Sequence, residues 1–147
     1  MNETQSAAVQ ILLVEDSPGD VSLTREALQS ARVANELNVV GDGEEAMRYL
    51  RGEGEHVGSK TAHLVLLDLN LPKMGGREVL REIKSDPALQ HIPVIVLTTS
   101  ADEEDILRSY QLHANAYVTK PVGFGDFLDA LTRLEGFWLQ VVRLPAE

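Results

Sequence analysis

The side chains able to do chemistry in this chain of 147 residues stand where apolar runs end. Asp68 closes the run His63–Leu67, Glu15 and Asp16 close Val9–Val14, Thr98 follows Pro93–Leu97 (PVIVL), and Lys120 comes shortly after Ala114–Val118 (ANAYV). Carboxylates held within several ångströms repel one another by about 4 kcal/mol per close pair at an effective dielectric near ~20, so such a cluster needs a cation or a proton. Magnesium suits it: a hard ion that takes oxygen ligands, with no histidine or cysteine cluster present to favour a softer metal. Glu15, Asp16 and Asp68 then balance Mg²⁺ and the Lys120 ammonium in formal charge. A site of this kind suits phosphoryl transfer onto a carboxylate, with Asp68 as nucleophile, Mg²⁺ and Lys120 neutralising the phosphoryl oxygens, and the Thr98 hydroxyl hydrogen-bonding one of them. The product adds about one further negative charge.

The elements that must hold these groups follow from the runs themselves. Short apolar runs bounded by turn signals read as strands buried on both faces. After Asp68, Pro72 and Gly75-Gly76 predict a tight loop over 69–75. Ser17-Pro18-Gly19-Asp20 reads as a helix start, with Ser17 as N-cap and Pro18 at the first helical position. Leu23, Ala27, Ala31 and Ala34, with Leu28 beside them, are expected to form its buried stripe. Leu37–Val40 is a second strand, and Asp42 with Glu45 caps a helix whose inner face is Ala46, Met47 and Leu50. The glycine-rich stretch 51–62 is expected to be a mobile loop. Gly75 and Glu78 open a third helix with Val79, Leu80 and Ile83 inward, ended by Asp86-Pro87. Ser100 and Glu103 precede a fourth helix (Ile106, Leu107, Tyr110), and a fifth carries Phe127, Leu128, Leu131 and Leu134. Five strands alternating with five helices predict an α/β fold, a doubly wound parallel sheet. Right-handed crossovers then bring Glu15, Asp16, Asp68, Thr98 and Lys120 to one edge.

Composition narrows the function. A formal charge of −10 without a basic cluster argues against direct nucleic-acid binding. The chain has no cysteine, no signal-peptide pattern and nothing near the ~20 apolar residues of a membrane span, so a cytoplasmic protein without membrane contact is expected. His56, His63, His91 and His113 lack ligand spacing and read as structural or exposed, and no phosphate-loop pattern occurs.

ILLVEDSPGD at 11–20, LLDLNLPKMGG at 66–76, VIVLTTS at 94–100 and YVTKP at 117–121 resemble the four signature segments of two-component response-regulator receiver domains, in order and at their usual spacing. The resemblance implies a flavodoxin-like sheet in the order 2-1-3-4-5. It implies Asp68 as phosphoacceptor, Glu15 and Asp16 as the acidic pair, Thr98 as switch hydroxyl, Tyr117 as switch aromatic and Lys120 as the lysine. Metal ligation would fall to Asp16, Asp68 and the Asn70 backbone carbonyl, with the longer Glu15 acting through a water. A cis bond is implied between Lys120 and Pro121. Two departures are visible: Glu15 stands where Asp is also common, and Gly75 where Asp or Asn often caps the helix, at a cost of only a few tenths of a kcal/mol. ILLVEDSPGD, residues 103–122 and FWLQVVRLP at 137–145 narrow the resemblance to small stand-alone regulators paired with phytochrome-type histidine kinases.

The expected organisation is a flexible N-terminus over 1–8, a receiver domain over 9–140 and a C-terminal tail over 141–147. The apolar Phe137, Trp138 and Val141 exceed what one helix can bury on its own sheet, which points to a homodimer contact. The leading function is a non-enzymatic, phosphorylation-switched module that takes its phosphate from a histidine kinase and has only self-directed autophosphorylation and self-dephosphorylation. It would signal through its surface or assembly, using the face of the fourth helix, fifth strand and fifth helix. One alternative is an aspartate-nucleophile phosphatase, disfavoured because Asn70 stands where a second aspartate acts as acid/base. The other is a dimeric scaffold that takes no phosphate.

Overall fold

Val9–Val14 and Leu64–Asp68 are buried along their whole lengths, as strands covered on both faces must be, and they form the middle of the sheet as β1 and β3. The computed structural model describes residues 9–29, 35–58, 61–98, 107–108, 111–112, 114–120 and 125. β2 (Asn35–Val40), β4 (Val94–Thr98) and β5 (Ala116–Thr119) complete five parallel strands in the order β2-β1-β3-β4-β5. This is the flavodoxin-like receiver fold with the expected strand order. Among the described residues the helices are α1 (Pro18–Gln29), α2 (Gly43–Arg51) and α3 (Gly76–Ser85). The expected fourth and fifth helices lie largely outside the described residues, as does the Lys120-Pro121 bond.

Alternate strand residues feed two cores, one on each face. Leu12, Val14, Val65, Leu67, Val94 and Val96 pack with Ala46 and Met47 of α2 and Val79, Leu80 and Ile83 of α3. Ile11, Leu13, Leu64, Leu66, Ile95 and Leu97 pack with Ala27 and Leu28 of α1. Burying a Val, Leu or Ile side chain contributes about 1.5–3 kcal/mol, so these two layers are what hold the sheet edge in place. Gln10, the polar member of β1, is buried too, and its Oε1 accepts from Asn38 Nδ2 of the neighbouring β2 at 3.4 Å.

Local chemistry starts and stops the helices largely as expected. Asp20 N–H donates to Ser17 Oγ at 3.3 Å, and Glu45 N–H donates to Asp42 Oδ1 at 2.8 Å. The Glu45 carboxylate reaches back to Gly41 N–H at 3.4 Å, one residue before the cap. α2 ends on Gly52 at φ +65°, a left-handed position that glycine takes at no steric cost.

Two expectations are corrected. In α1 the buried positions are Thr24, Ala27 and Leu28, while Leu23 is 41% exposed. Ala27 and Leu28 of the expected stripe are buried, but at its start Thr24 takes the buried position expected of Leu23, at helical spacing from Val21 and Leu28. Ala31 and Ala34 lie outside the described residues. The stretch 51–62, expected to be a mobile loop, starts with the last residue of α2, Arg51, and holds a 3₁₀ turn at Gly54–His56. His56 lies against Tyr49 of α2, with ring centroids 5.2 Å apart, and its Nε2 faces Glu45 at 3.4 Å and Glu55 at 3.6 Å.

Candidate functional site

Four of the five strands, β1, β3, β4 and β5, deliver polar side chains to one edge of the sheet, because parallel strands share one direction. Asp68 is the last residue of β3 and Thr98 the last of β4, and the pairing of Asp68 with Leu97 makes Thr98 its next neighbour across the ladder. Glu15 and Asp16 follow β1, whose Val14 pairs with Leu67. Lys120 follows β5, and its backbone N–H donates to the Thr98 carbonyl at 2.7 Å. Residues more than 100 positions apart in sequence thus converge.

Glu15, Asp16 and Asp68 each offer a carboxylate oxygen within 4.8 Å of the others. Asp68 and Glu15 are buried, at 3% and 2% exposed, while Asp16 is exposed. The cluster therefore opens to solvent on the Asp16 side. Lys120 Nζ lies 2.8 Å from Glu15 Oε1, 3.0 Å from Asp20 Oδ2 and 3.3 Å from Asp68 Oδ1. Burial works against the Lys120 charge, but the bonds from Glu15 and Asp20 and the charge of Asp68 outweigh it and hold the ammonium well above its ordinary range. Burial pushes the Glu15 carboxyl up, and Lys120 offsets only part of that before Asp68 raises it again. Ser17 N–H donates to Glu15 Oε2 at 3.2 Å.

The donor set fits a hard divalent cation: three clustered carboxylates of which one is open to water, and no imidazole or thiolate among them. Asn70 N–H donates to Asp68 Oδ1 at 3.3 Å, which fixes the turn of the loop after β3 against the carboxylate it follows. That loop is pressed from both sides. A Cβ on Gly76 would collide with the Asp68 carbonyl and lie 2.6 Å from Leu69 Cα, and one on Gly43 would collide with the Met74 carbonyl. Both are close approaches that only glycine permits.

Thr98 is buried at 3% exposure beside this cluster. Tyr117 lies partly buried against the core that contains Leu107 and Leu112, and its hydroxyl accepts from Ala114 N–H at 3.3 Å. Phe137, Trp138 and Val141 lie outside the described residues. The side chain that the sequence reading missed is Asp20. It was legible only as a helix-start acid, and its ion pair with Lys120 spans 100 positions.

The chain matches the family described as response regulator receiver domain over residues 11–132. It is 47% identical over 146 residues to the response regulator Rcp1 of Synechocystis, covering 99% of both chains. Among solved structures, the bacteriophytochrome response regulator RtBRR superposes with a TM-score of 0.84 at 44% identity, over 89% of this chain and 80% of that one. The phosphorylated cyanobacterial phytochrome response regulator RcpA gives 0.74 at 51% identity, over 90% and 94%. The Mn²⁺-bound form of Rcp1 gives 0.72 at 48% identity, over 89% and 94%.

Proposed function

The chain belongs to the response regulator receiver family, and on that premise we propose that it accepts a phosphoryl group on Asp68 from a histidine kinase in a divalent-cation-dependent reaction. The observation that supports this most is the approach of Lys120 Nζ to Asp68 Oδ1, 3.3 Å, at the rim of a three-carboxylate cluster. Attack by an Asp68 oxygen on the phosphorus of a phosphohistidine forms an acyl phosphate while the P–N bond breaks and its electron pair returns to the imidazole. Lys120 neutralises charge on the phosphoryl oxygens, and the Thr98 hydroxyl donates to one of them. Asp16 and Asp68 would hold Mg²⁺ with the Asn70 carbonyl, Glu15 acting through a water. When bound, the ion supplies charge neutralisation between nucleophile and phosphoryl group.

Tyr117 is assigned the switch aromatic: a change at Thr98 reaches it through β4 and β5, where Tyr117 pairs with Val96. A phytochrome-type histidine kinase is the assigned donor, since phytochrome regulators such as RcpA are among the similar structures. The protein is read as a signalling module with self-directed chemistry only. A phosphatase is disfavoured because the Asn70 side chain, two residues after Asp68, has no carboxyl with which to act as acid/base.

Intact mass after incubation with acetyl phosphate, with and without Mg²⁺, tests this reading. The expected result is a Mg²⁺-dependent gain of one phosphoryl group that is absent in a folded Asp68→Asn variant. Incorporation that persists in Asp68→Asn overturns the assignment.

A further inference from the structure

Asp20 takes no part in the reaction just described, yet its carboxylate accepts a hydrogen bond from the Lys120 ammonium at 3.0 Å, closer than Asp68 does. An ammonium has three donors, and here three carboxylates face them: Glu15, Asp20 and Asp68. A phosphoryl group on Asp68 replaces that carboxylate's single claim with several more highly charged phosphoryl oxygens, which compete with Glu15 and Asp20 for the same three protons. Glu15 is poorly placed to yield, since its side chain is 1% exposed and its other oxygen is held by Ser17 N–H. Asp20, at 34%, is the carboxylate that water can take over. Its backbone cannot follow the ammonium inward, because its N–H is tied to Ser17 Oγ at the start of α1.

We propose that Asp20 is a positioning residue that competes with the Asp68 phosphoryl group for Lys120 and thereby shortens the time that group is retained. This rests on the reading of Asp68 as phosphoacceptor. While Asp68 is free, Asp20 parks the ammonium at the mouth of the site. Once the acyl phosphate forms, Asp20 draws part of the Lys120 charge away from it and repels it directly. The step affected is hydrolysis: a water oxygen bonds to phosphorus, the P–O bond to Asp68 breaks with its electrons returning to the carboxylate, one proton of that water stays on the departing inorganic phosphate and the other passes to solvent.

The test follows loss of ³²P from protein labelled with acetyl [³²P]phosphate in Mg²⁺, in the wild type, Asp20→Asn, Asp20→Ser and Asp20→Glu. Both neutral variants should retain the label several-fold longer and bind beryllofluoride, a stable phosphoryl mimic, more tightly. Asp20→Glu, which restores the charge, should return retention towards wild type, a recovery that a purely structural role for the aspartate would not give. Labelled wild type with unchanged or shortened retention in the neutral variants overturns this inference alone. A wild type that takes up no label overturns the phosphoacceptor reading and this inference with it.

Discussion

Lys120 carries the charge balance of the site, and its removal separates two effects that the intact protein combines. In Lys120→Ala the buried Glu15 and Asp68 lose their shared cation, and breaking a buried ion pair typically costs about 3 kcal/mol. Added Mg²⁺ should recover part of that, so urea midpoints measured in chelator and in Mg²⁺ should diverge further than in the wild type. Calorimetric metal titration should still show binding, while the structural response to phosphorylation weakens. An unchanged response rejects Lys120 as the coupling group. His63 offers a prediction away from the site. Its Nδ1 accepts from Gln10 N–H at 2.9 Å, and burial lowers its pKa from the ordinary imidazole value. A lowered folded pKa means that the unfolded chain takes up the proton first as pH falls. The stabilisation from His63 is therefore complete above about pH 6.5 and is lost as pH drops through the folded value. Urea unfolding from about pH 7.5 down to about pH 5 should show a decline that flattens in His63→Asn, which can still accept without titrating. Glu15, Asp16, Asp68 and Lys120 were legible as residues because a charge ending an apolar run has few structural excuses. Asp20 was not, since helix starts collect acids for reasons of their own, and Thr24 hid its burial behind a hydroxyl.

At the scale of elements, strand positions were readable because a strand buried on both faces leaves an unbroken apolar run. Helix faces were less so. A leucine and a threonine one position apart decided the orientation of α1, and packing chose the threonine. The turn at Gly54–His56 escaped because it depends on Tyr49 and Glu45 of α2, which composition of the loop does not reveal. The junction of β3 with α3 yields a paired prediction. Gly76→Ala forces a methyl against the backbone of Asp68 and Leu69, where overpacking costs about 1–3 kcal/mol. A methyl added at Gly75 would meet nothing within 4 Å, and the φ of −70° there suits any residue. Chemical denaturation should show Gly76→Ala destabilised by about 2 kcal/mol and Gly75→Ala by a few tenths. Equal effects would mean that the two helices do not press on the loop as described.

For the whole molecule, among the described residues no helix is long and apolar enough to cross a membrane. The family match spans residues 11–132, and we propose 9–140 as the bounds of the receiver domain. We propose a homodimer through the apolar residues Phe137, Trp138 and Val141. Trp138→Ala should then shift sedimentation towards monomer, and an unchanged profile would remove that surface from consideration. The association must also overcome a formal charge of −10 on each copy, so the dimer should strengthen as salt rises.

Synthesis delivers this site out of balance. The ribosome releases Glu15, Asp16 and Asp20 first and Asp68 some fifty residues later, while the ammonium that all but Asp16 are seen to share arrives only with residue 120. A nascent chain stalled before that point holds Glu15, Asp20 and Asp68 without the ammonium that all three share, so closing its central strands calls for another cation or a proton at the site. The charge pattern of the site is therefore complete only once β5 and the lysine that follows it have been made, although its acids and its central strands all precede them.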